Sequence, residues 1–164
     1  MKNLILAITV LLAPLCLINS AKAYSSQDLE QLKNTNNCPR CDLSNAPLNN
    51  LNLTGANLRE ANLSRANLSQ ALLVGADFGG ANLEAANLSS ANLNSATLVG
   101  ANLKSASLVN AYLIGAGLIA TNLEAANFRG ARMDLVNTRG ARFRLTVMPS
   151  GVVTPAGTVN PDRR

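Results

Sequence analysis

Two cysteines of this sequence have the spacing of a thiol–disulfide motif, in the segment Cys38-Pro39-Arg40-Cys41. Redox catalysis by such a pair needs a thiolate of lowered pKa, usually at a helix start within a βαβ unit, and the sequence predicts no such unit. A zinc site needs more ligands than two cysteines, and the chain contains no histidine. The pair therefore favours a structural disulfide, with reduced thiols or redox or metal chemistry as the alternatives.

A cluster of arginines near the C-terminus has the chemistry to bind an anionic partner. Its members are Arg129, Arg132, Arg139, Arg142 and Arg144. Guanidinium groups form strong hydrogen bonds with carboxylates and phosphates, so the cluster predicts an anion-binding or partner-docking surface. The alternative is a solvated collar of positive charge that prevents one molecule from associating end to end with another.

Catalysis has little support in the sequence. There is no histidine for general acid–base chemistry, and the motifs GxSxG, GxGxxG and the phosphate-binding loop do not occur. Carboxylates are sparse in the middle of the chain, where they are Asp42, Glu60, Asp77, Glu84, Glu124 and Asp134. We therefore expect a protein that is not an enzyme and that binds no cofactor or metal.

Residues 1–23 have the pattern of a secretory signal peptide. Lys2 precedes a long apolar run, and Ala21-Lys22-Ala23 is a small-x-small cleavage signature. The alternative is an uncleaved anchor, but the apolar run is shorter than the roughly 20 residues that a membrane-spanning helix needs. The sequence thus predicts export, a mature chain that begins at Tyr24 and no membrane span after cleavage. Loss of the two lysines lowers the formal charge from +5 to +3, which does not indicate nucleic acid as a partner.

Most of the chain repeats with a period of five residues. A large apolar residue stands at every fifth position from Leu43 to Phe143, with Thr138 as the polar exception. Alanine fills most positions two residues earlier, and asparagine often stands between the two. The expected core ladder includes Leu58, Leu63, Leu68, Phe78, Leu83, Leu88, Leu93, Leu103, Leu123 and Phe128.

A five-residue period fits neither a helix nor a flat strand. On a helix, five residues advance by about 500°, so the leucines would spiral around every side. On a strand, an odd period sends successive leucines to opposite faces. All the leucines share one interior only if the backbone turns a corner after every unit. The residues that follow each leucine, often Gly, Ser or Asn, suit such turns.

The run Ala56-Asn57-Leu58-Arg59-Glu60, followed by Ala61-Asn62-Leu63-Ser64-Arg65, closely resembles the pentapeptide-repeat pattern A-[DN]-L-x-x. The resemblance covers residues 41–145 and points to the pentapeptide-repeat family. It implies an all-β fold, a right-handed four-sided β-helix or solenoid of about five coils, with four units in each coil. In that fold the arginine cluster would form a ring around the last coil. Cys-x-x-Cys ahead of the first unit also resembles exported members of the family from cyanobacteria.

The family resemblance also raises binding to DNA gyrase, which some members achieve with a long acidic surface that resembles duplex DNA. Such mimicry requires rows of carboxylates. The few carboxylates of this chain, its positive charge and its predicted export all disfavour that function. We expect no nucleic-acid partner.

The ends of a solenoid need covers, because unpaired strand edges favour polymerisation. Residues 24–40 are the predicted N-terminal cap, in which Ser25 and Asp28 suggest a capping box and Leu29 and Leu32 would lie on one face of a short helix. Residues 146–164 are predicted to form a C-terminal cap or a loose tail. Oligomers that form through uncovered ends remain an alternative.

These features together predict an exported, non-enzymatic structural or protein-interaction scaffold in the periplasm, in the thylakoid lumen or outside the cell. The alternative function is a binding protein that docks an anionic partner through the C-terminal arginine ring. The sequence does not identify that partner, which could be a protein or an anionic ligand.

Overall fold

The computed structural model describes residues 24–156. The predicted signal peptide and residues 157–164 of the predicted tail lie outside the described residues. One helix, α1 (Ser26–Thr35), precedes a long series of parallel β-bridges. Each bridge is a single residue pair, so residues 24–156 contain no extended strand, and the sheet-like contacts recur once in every five-residue unit.

Each bridged residue pairs in parallel with the residue twenty positions later, so four units complete one coil and the coils stack into a rod with four faces. Face 1 carries the bridged residues Asn37, Asn57, Asp77, Thr97, Gly117 and Asn137; face 2 carries Asp42, Asn62, Asn82, Asn102, Asn122 and Arg142; face 3 carries Pro47, Asn67, Asn87, Ser107, Asn127 and Val147; and face 4 carries Asn52, Leu72, Asn92, Tyr112 and Arg132. The ladder is unbroken from Asn37 to Val147.

The interior of the rod is filled by the centre residue of each unit and by the small residue two positions before it. All ten residues of the expected core ladder are fully buried. Leu93 is typical, since its side chain is buried and its N–H donates to the Tyr112 carbonyl of the next coil at 2.7 Å. Burial of each leucine contributes about 2 kcal/mol, and alanine leaves the room that a leucine needs in so narrow an interior.

Each unit ends in a tight turn of two corner residues. In the unit centred on Leu58, the Ala61 N–H donates to the Leu58 carbonyl at 3.2 Å, and the second corner residue, Glu60, has a φ of 58°. The second corner residue has a positive φ in every unit from Arg40 to Leu145. This left-handed conformation costs a non-glycine residue about 1 kcal/mol, which explains why Gly, Asn and Ser are frequent at this position.

The asparagines between the inward residues form hydrogen bonds that stabilise the corners and join neighbouring coils. Asn102 Oδ1 accepts the Lys104 N–H at 3.2 Å, which fixes the following corner. The Asn102 amide nitrogen donates to Asn82 Oδ1 at 3.2 Å, and the Asn122 amide nitrogen donates to Asn102 Oδ1 at 3.1 Å. Face 2 therefore carries a ladder of asparagine amides that joins successive coils.

Helix α1 covers the N-terminal end of the rod. Ser25 Oγ accepts the Asp28 N–H at 3.2 Å, but the reciprocal half of the expected capping box is not formed. The Asp28 carboxylate instead accepts the Asp42 N–H at 2.7 Å and so ties α1 to the first coil. Leu29 and Leu32 are buried against the core of the rod.

The repeating backbone begins one unit before the expected boundary at residue 41. Asn37 already bridges Asn57, Cys38 is buried in the position of a centre residue, and Arg40 has the positive φ of a corner. The sequence hides this unit because cysteine replaces the usual leucine. Cys41 fills the alanine position of the next unit, and the structure joins it to Cys38 in a disulfide.

The C-terminal end of the rod closes with a hairpin. Val147 bridges Asn127 in parallel and Val153 in antiparallel, and Gly151, with a φ of 87°, lies where the chain reverses. The Thr154 N–H donates to the Thr146 carbonyl at 2.9 Å. Residues 146–154 therefore form a cap over the end of face 3.

Threonines in the alanine position are buried where their hydroxyl groups find acceptors. Thr121 Oγ1 donates to the Leu98 carbonyl at 2.8 Å, and Thr146 Oγ1 donates to the Leu123 carbonyl at 2.6 Å. Within residues 24–156, every buried side-chain nitrogen or oxygen has a hydrogen-bond partner. The interior accepts a polar atom at these sites because a carbonyl of the preceding coil is within reach.

A charge in the interior is expected to unfold the rod. Leu93→Arg removes the apolar burial of one leucine and places an unpaired guanidinium in the core, so we expect a loss of about 4 kcal/mol or more. Circular dichroism during thermal unfolding measures this change. A variant that keeps its β-type spectrum and its melting temperature would contradict the shared interior.

The neighbouring residue provides a matched control. Asn92 stands on face 4 between Leu72 and Tyr112, and its Oδ1 accepts the Asn94 N–H at 3.2 Å. A serine hydroxyl can accept the same bond, so Asn92→Ser should cost less than about 1 kcal/mol. A loss as large as that of Leu93→Arg would show that the outward Asn92 amide matters as much to stability as the buried Leu93.

Candidate partner-binding surface

The C-terminal arginines are spread around the rod. Arg132 is a bridged residue of face 4 and Arg142 is one of face 2. The other three arginines are first corner residues, with Arg129 after face 3, Arg139 after face 1 and Arg144 after face 2. All five side chains are exposed. The five positive charges, which lie in one segment of the sequence, are therefore distributed around the C-terminal end of the rod.

These arginines are not equivalent, because only two of them have a carboxylate nearby. The Arg132 guanidinium lies 3.7 Å from Asp134, and the Arg144 guanidinium lies 3.7 Å from Glu124. Arg129, Arg139 and Arg142 form no ion pair with any residue between 24 and 156. Unpaired guanidinium groups at one end of a rod attract an anionic partner, and the attraction weakens as salt increases.

Two of the four carboxylates elsewhere on the rod, those of Glu60 and Asp77, form ion pairs with arginines of a neighbouring coil. The Glu60 carboxylate accepts a hydrogen bond from Arg40 Nε at 2.7 Å, which lowers the pKa of Glu60. The Asp77 carboxylate lies 3.0 Å from the Arg59 guanidinium. The described faces therefore present no continuous acidic row.

The C-terminal end is also the most apolar part of the surface. Seven large hydrophobic residues are exposed in the described chain, and four of them, Leu135, Leu145, Val152 and Val153, lie in the last units or in the hairpin. Leu135 is 88% exposed. Leu135 and Leu145 both occupy the second corner position with positive φ. Sequence reasoning missed these two leucines, although a leucine in a position that usually holds Gly, Ser or Asn is a detectable signal.

Other features of the described surface give less support for a binding site. An open depression of about 400 Å³ lies along face 2 and is lined by polar residues that include Asn62, Arg65 and Glu84. Residues 24–156 contain no group of three or more Cys, Asp or Glu side chains placed to hold a metal ion. Between residues 24 and 156, no helix combines the length and the apolar composition that crossing a membrane requires.

The two cysteines are shielded from solvent. Cys38 is fully buried and Cys41 is 6% exposed. Their disulfide spans the first corner, so it joins the centre of one unit to the alanine position of the next. A reactive thiol needs exposure and an electropositive surrounding, which a buried pair in an apolar interior does not have.

Comparisons with known proteins agree with this geometry. The family of pentapeptide repeats matches in eight copies, over residues 37–73, 71–110, 96–134 and 106–144. Among solved structures, the pentapeptide repeat protein Rfr23 from the cyanobacterium Cyanothece 51142 is 31% identical, with a TM-score of 0.69 over 73% of this chain and 93% of that one. The pentapeptide repeat protein alr5209 from Nostoc PCC 7120 is 34% identical, with a TM-score of 0.53 over 60% of this chain and 80% of that one.

A more distant structure shares the fold alone. QnrB1, a plasmid-mediated fluoroquinolone resistance protein, is 20% identical, with a TM-score of 0.65 over 73% of this chain and 63% of that one. No curated protein matches this sequence. The repeat match over residues 37–144 and the similarity to Rfr23 show that this chain belongs to the pentapeptide repeat family, whose members fold as right-handed quadrilateral β-helices.

Proposed function

We propose that the protein is an exported, non-enzymatic scaffold that binds a partner protein through its rigid surface. The observation that carries this proposal is the unbroken ladder of bridges from Asn37 to Val147, together with the hydrogen bonding of every buried polar side-chain atom between residues 24 and 156. Such a rod holds its outward side chains in fixed positions, so it binds with little loss of conformational freedom. Pentapeptide repeat proteins are, as a family, non-enzymatic repeat proteins.

A DNA-mimicking function has weaker support. Four of the six repeat carboxylates, those of Glu60, Asp77, Glu124 and Asp134, form ion pairs with arginines. The other two, Asp42 and Glu84, accept hydrogen bonds from asparagine amides. A partner that reads a phosphate-like charge pattern would meet mostly neutral pairs on this rod.

If the protein is a scaffold, the residues that contact the partner should lie together on one part of the rod. A photo-crosslinking residue is introduced at one exposed position per side and at one position near the C-terminal end: Thr97 on face 1, Glu84 after face 2, Asn87 on face 3, Tyr112 on face 4 and Leu135 near the end. We expect a defined adduct from one or two of these positions in the native host. The unfolded variant Leu93→Arg is the control and should lose the adduct. Absence of a specific adduct at every position, including the C-terminal end, would refute the scaffold proposal.

Export rests on the signal-like residues 1–23, and the compartments that it implies are the periplasm, the thylakoid lumen or the exterior. We expect the protein isolated from its native host to begin at Tyr24, which N-terminal sequencing measures directly. Ala21→Leu and Ala23→Leu together should block cleavage and leave the longer form, because the cleavage signature needs small residues. An unprocessed chain that starts at Met1 in the cytosol would contradict export.

The disulfide between Cys38 and Cys41 is proposed to persist in the exported protein and to pin α1 onto the rod. An oxidising compartment favours this bond, and the two residues are shielded inside the first units. Closure of so short a loop contributes about 2 kcal/mol in the chain-entropy description. Because coils interact only with their neighbours, that contribution acts locally.

Reduction of the disulfide should therefore loosen the N-terminal end and leave the middle of the rod unchanged. Hydrogen–deuterium exchange with and without a reductant measures this, with faster exchange expected over residues 26–45 and none beyond about one coil further. The variant Cys38→Leu/Cys41→Ala, which restores the repeat pattern, should show the same exchange with or without the reductant. Faster exchange along the whole rod would contradict a local role.

A further inference from the structure

The two ends of the rod differ in how many of their backbone edge groups are hydrogen-bonded. At the N-terminal end, the Asn37 N–H donates to Thr35 Oγ1 at 3.1 Å and the Asp42 N–H donates to the Asp28 carboxylate at 2.7 Å. On face 3 the first bridged residue is Pro47, which has no N–H. Three of the four faces therefore begin with an edge that cannot pair with another chain in register.

At the C-terminal end the hairpin covers face 3, and the edges of face 1 and face 4 are left open, because the N–H groups of Met133 and Leu135 on face 4 have no acceptor among residues 24–156. Only the edge of face 1 lies beside the unpaired Arg139. The preceding coil shows what this edge normally does, since the Leu118 N–H donates to the Asn137 carbonyl at 2.8 Å and the Asn137 N–H donates to the Ala116 carbonyl at 3.0 Å. One coil later, the equivalent groups are the Thr138 N–H and the Val136 carbonyl. Neither has a hydrogen-bond partner among residues 24–156.

The corner that follows repeats this arrangement. The Ala120 N–H donates to the Arg139 carbonyl at 2.9 Å, but the Gly140 N–H, its equivalent one coil later, has no acceptor within the described chain. Residues 136–140 thus present two donors and one acceptor with the spacing that binds the next rung of the β-helix. We call these residues the face 1 edge.

The surroundings of the face 1 edge indicate the chemistry of what it binds. Leu135, 88% exposed, stands at its start, and the partly buried Val136 follows. Arg139 and Arg142, which have no ion-pair partner within residues 24–156, stand at its other end. A strand edge with apolar side chains at one end and unpaired cations at the other fits an extended segment that carries both apolar and acidic residues.

We propose that the face 1 edge binds an extended acidic segment of a partner protein, which adds one rung to the end of the β-helix. This inference rests on the scaffold function proposed above and names the site and the kind of partner. Backbone hydrogen bonds to Val136, Thr138 and Gly140 supply the pairing, and carboxylates of the segment meet Arg139 and Arg142. The pairing is of the β-augmentation type, in which main-chain bonds give affinity and side chains give selectivity.

Charge disfavours two other occupants of this edge. A second copy that docked end to end through the same surface would bring the arginines of both rods together. Residues 157–164 carry two arginines, Arg163 and Arg164, and one acidic side chain, Asp162, so they lack the net negative charge that would attract them to this surface. Like charges oppose the end-to-end dimer, whereas an acidic segment is attracted to the site.

The test uses the mature chain, residues 24–164, and a fluorescein-labelled peptide of sequence EVEVEVE, followed by fluorescence anisotropy. We expect binding in the range of about 1–100 μM at low salt, weakened by added salt, and no binding of the matched peptide KVKVKVK. Two N-methylated peptides, one methylated on the valines and one on the glutamates, test the backbone pairing. One of them should bind at least about tenfold more weakly, because only one side of a strand pairs with the edge.

Variants of the protein test the charges. Arg139→Gln/Arg142→Gln should weaken binding of EVEVEVE by roughly tenfold, since both substitutions are on exposed side chains and remove charge without disturbing the core. The control, Arg65→Gln/Lys104→Gln, removes the same charge from the middle of the rod and should leave binding unchanged. An equal effect of both pairs would show attraction to net charge and overturn the assigned site.

Three further outcomes would overturn the proposal. Equal binding of both N-methylated peptides would exclude backbone pairing. Binding to a chain that ends at Ala156 but not to the mature chain would show that residues 157–164 occupy the edge. A dimer in sedimentation equilibrium that competes with the peptide would identify a second copy as the occupant. If the peptide fails while photo-crosslinks still form on the faces, only this inference fails; absence of any adduct refutes the scaffold function itself.

Discussion

The whole architecture depends on one steric constraint, which is the narrowness of the interior. The four faces of each coil send a leucine-sized residue inward, and the position two residues earlier must stay small for those leucines to meet. Because the two inward positions are separated by one outward residue, the backbone is extended between them and must then turn. The positive φ of the second residue in each corner follows from that turn. Period, composition and corner strain are therefore consequences of the same packing problem.

The same constraint makes the rod uniform along its length and leaves its ends as the places where it differs. Each coil bonds to the next through the same hydrogen bonds, so stability accumulates from neighbour to neighbour. The N-terminal end is closed by α1, a disulfide and a proline. The C-terminal end has a hairpin on one face, and its exposed leucines and unpaired arginines lie around the open edge. A rod of this kind can bind by its repeated faces or by its one exceptional end.

The sequence predicted the repeated part well, because there every residue serves one local rule. The burial of the centre leucines and of Leu29 and Leu32 follows from spacing alone. The first unit was missed because Cys38 stands where leucine is usual. The partial capping box, the ion pairs that neutralise two of the five arginines and the open edge of face 1 depend on contacts between coils, which a linear pattern does not report.

Leu135 shows why the C-terminal end invites a functional explanation. Its left-handed φ of 59° costs about 1 kcal/mol, and its side chain exposes apolar surface to water. Gly would avoid both costs at this corner, and Ser or Asn would avoid the exposure of apolar surface, as these residues do at many other corners along the rod. Leu145, in the equivalent position two corners later, combines the same two costs. Within residues 24–156 both leucine side chains remain exposed, whereas a partner segment bound along the face 1 edge would cover Leu135 and return apolar burial to the last coil.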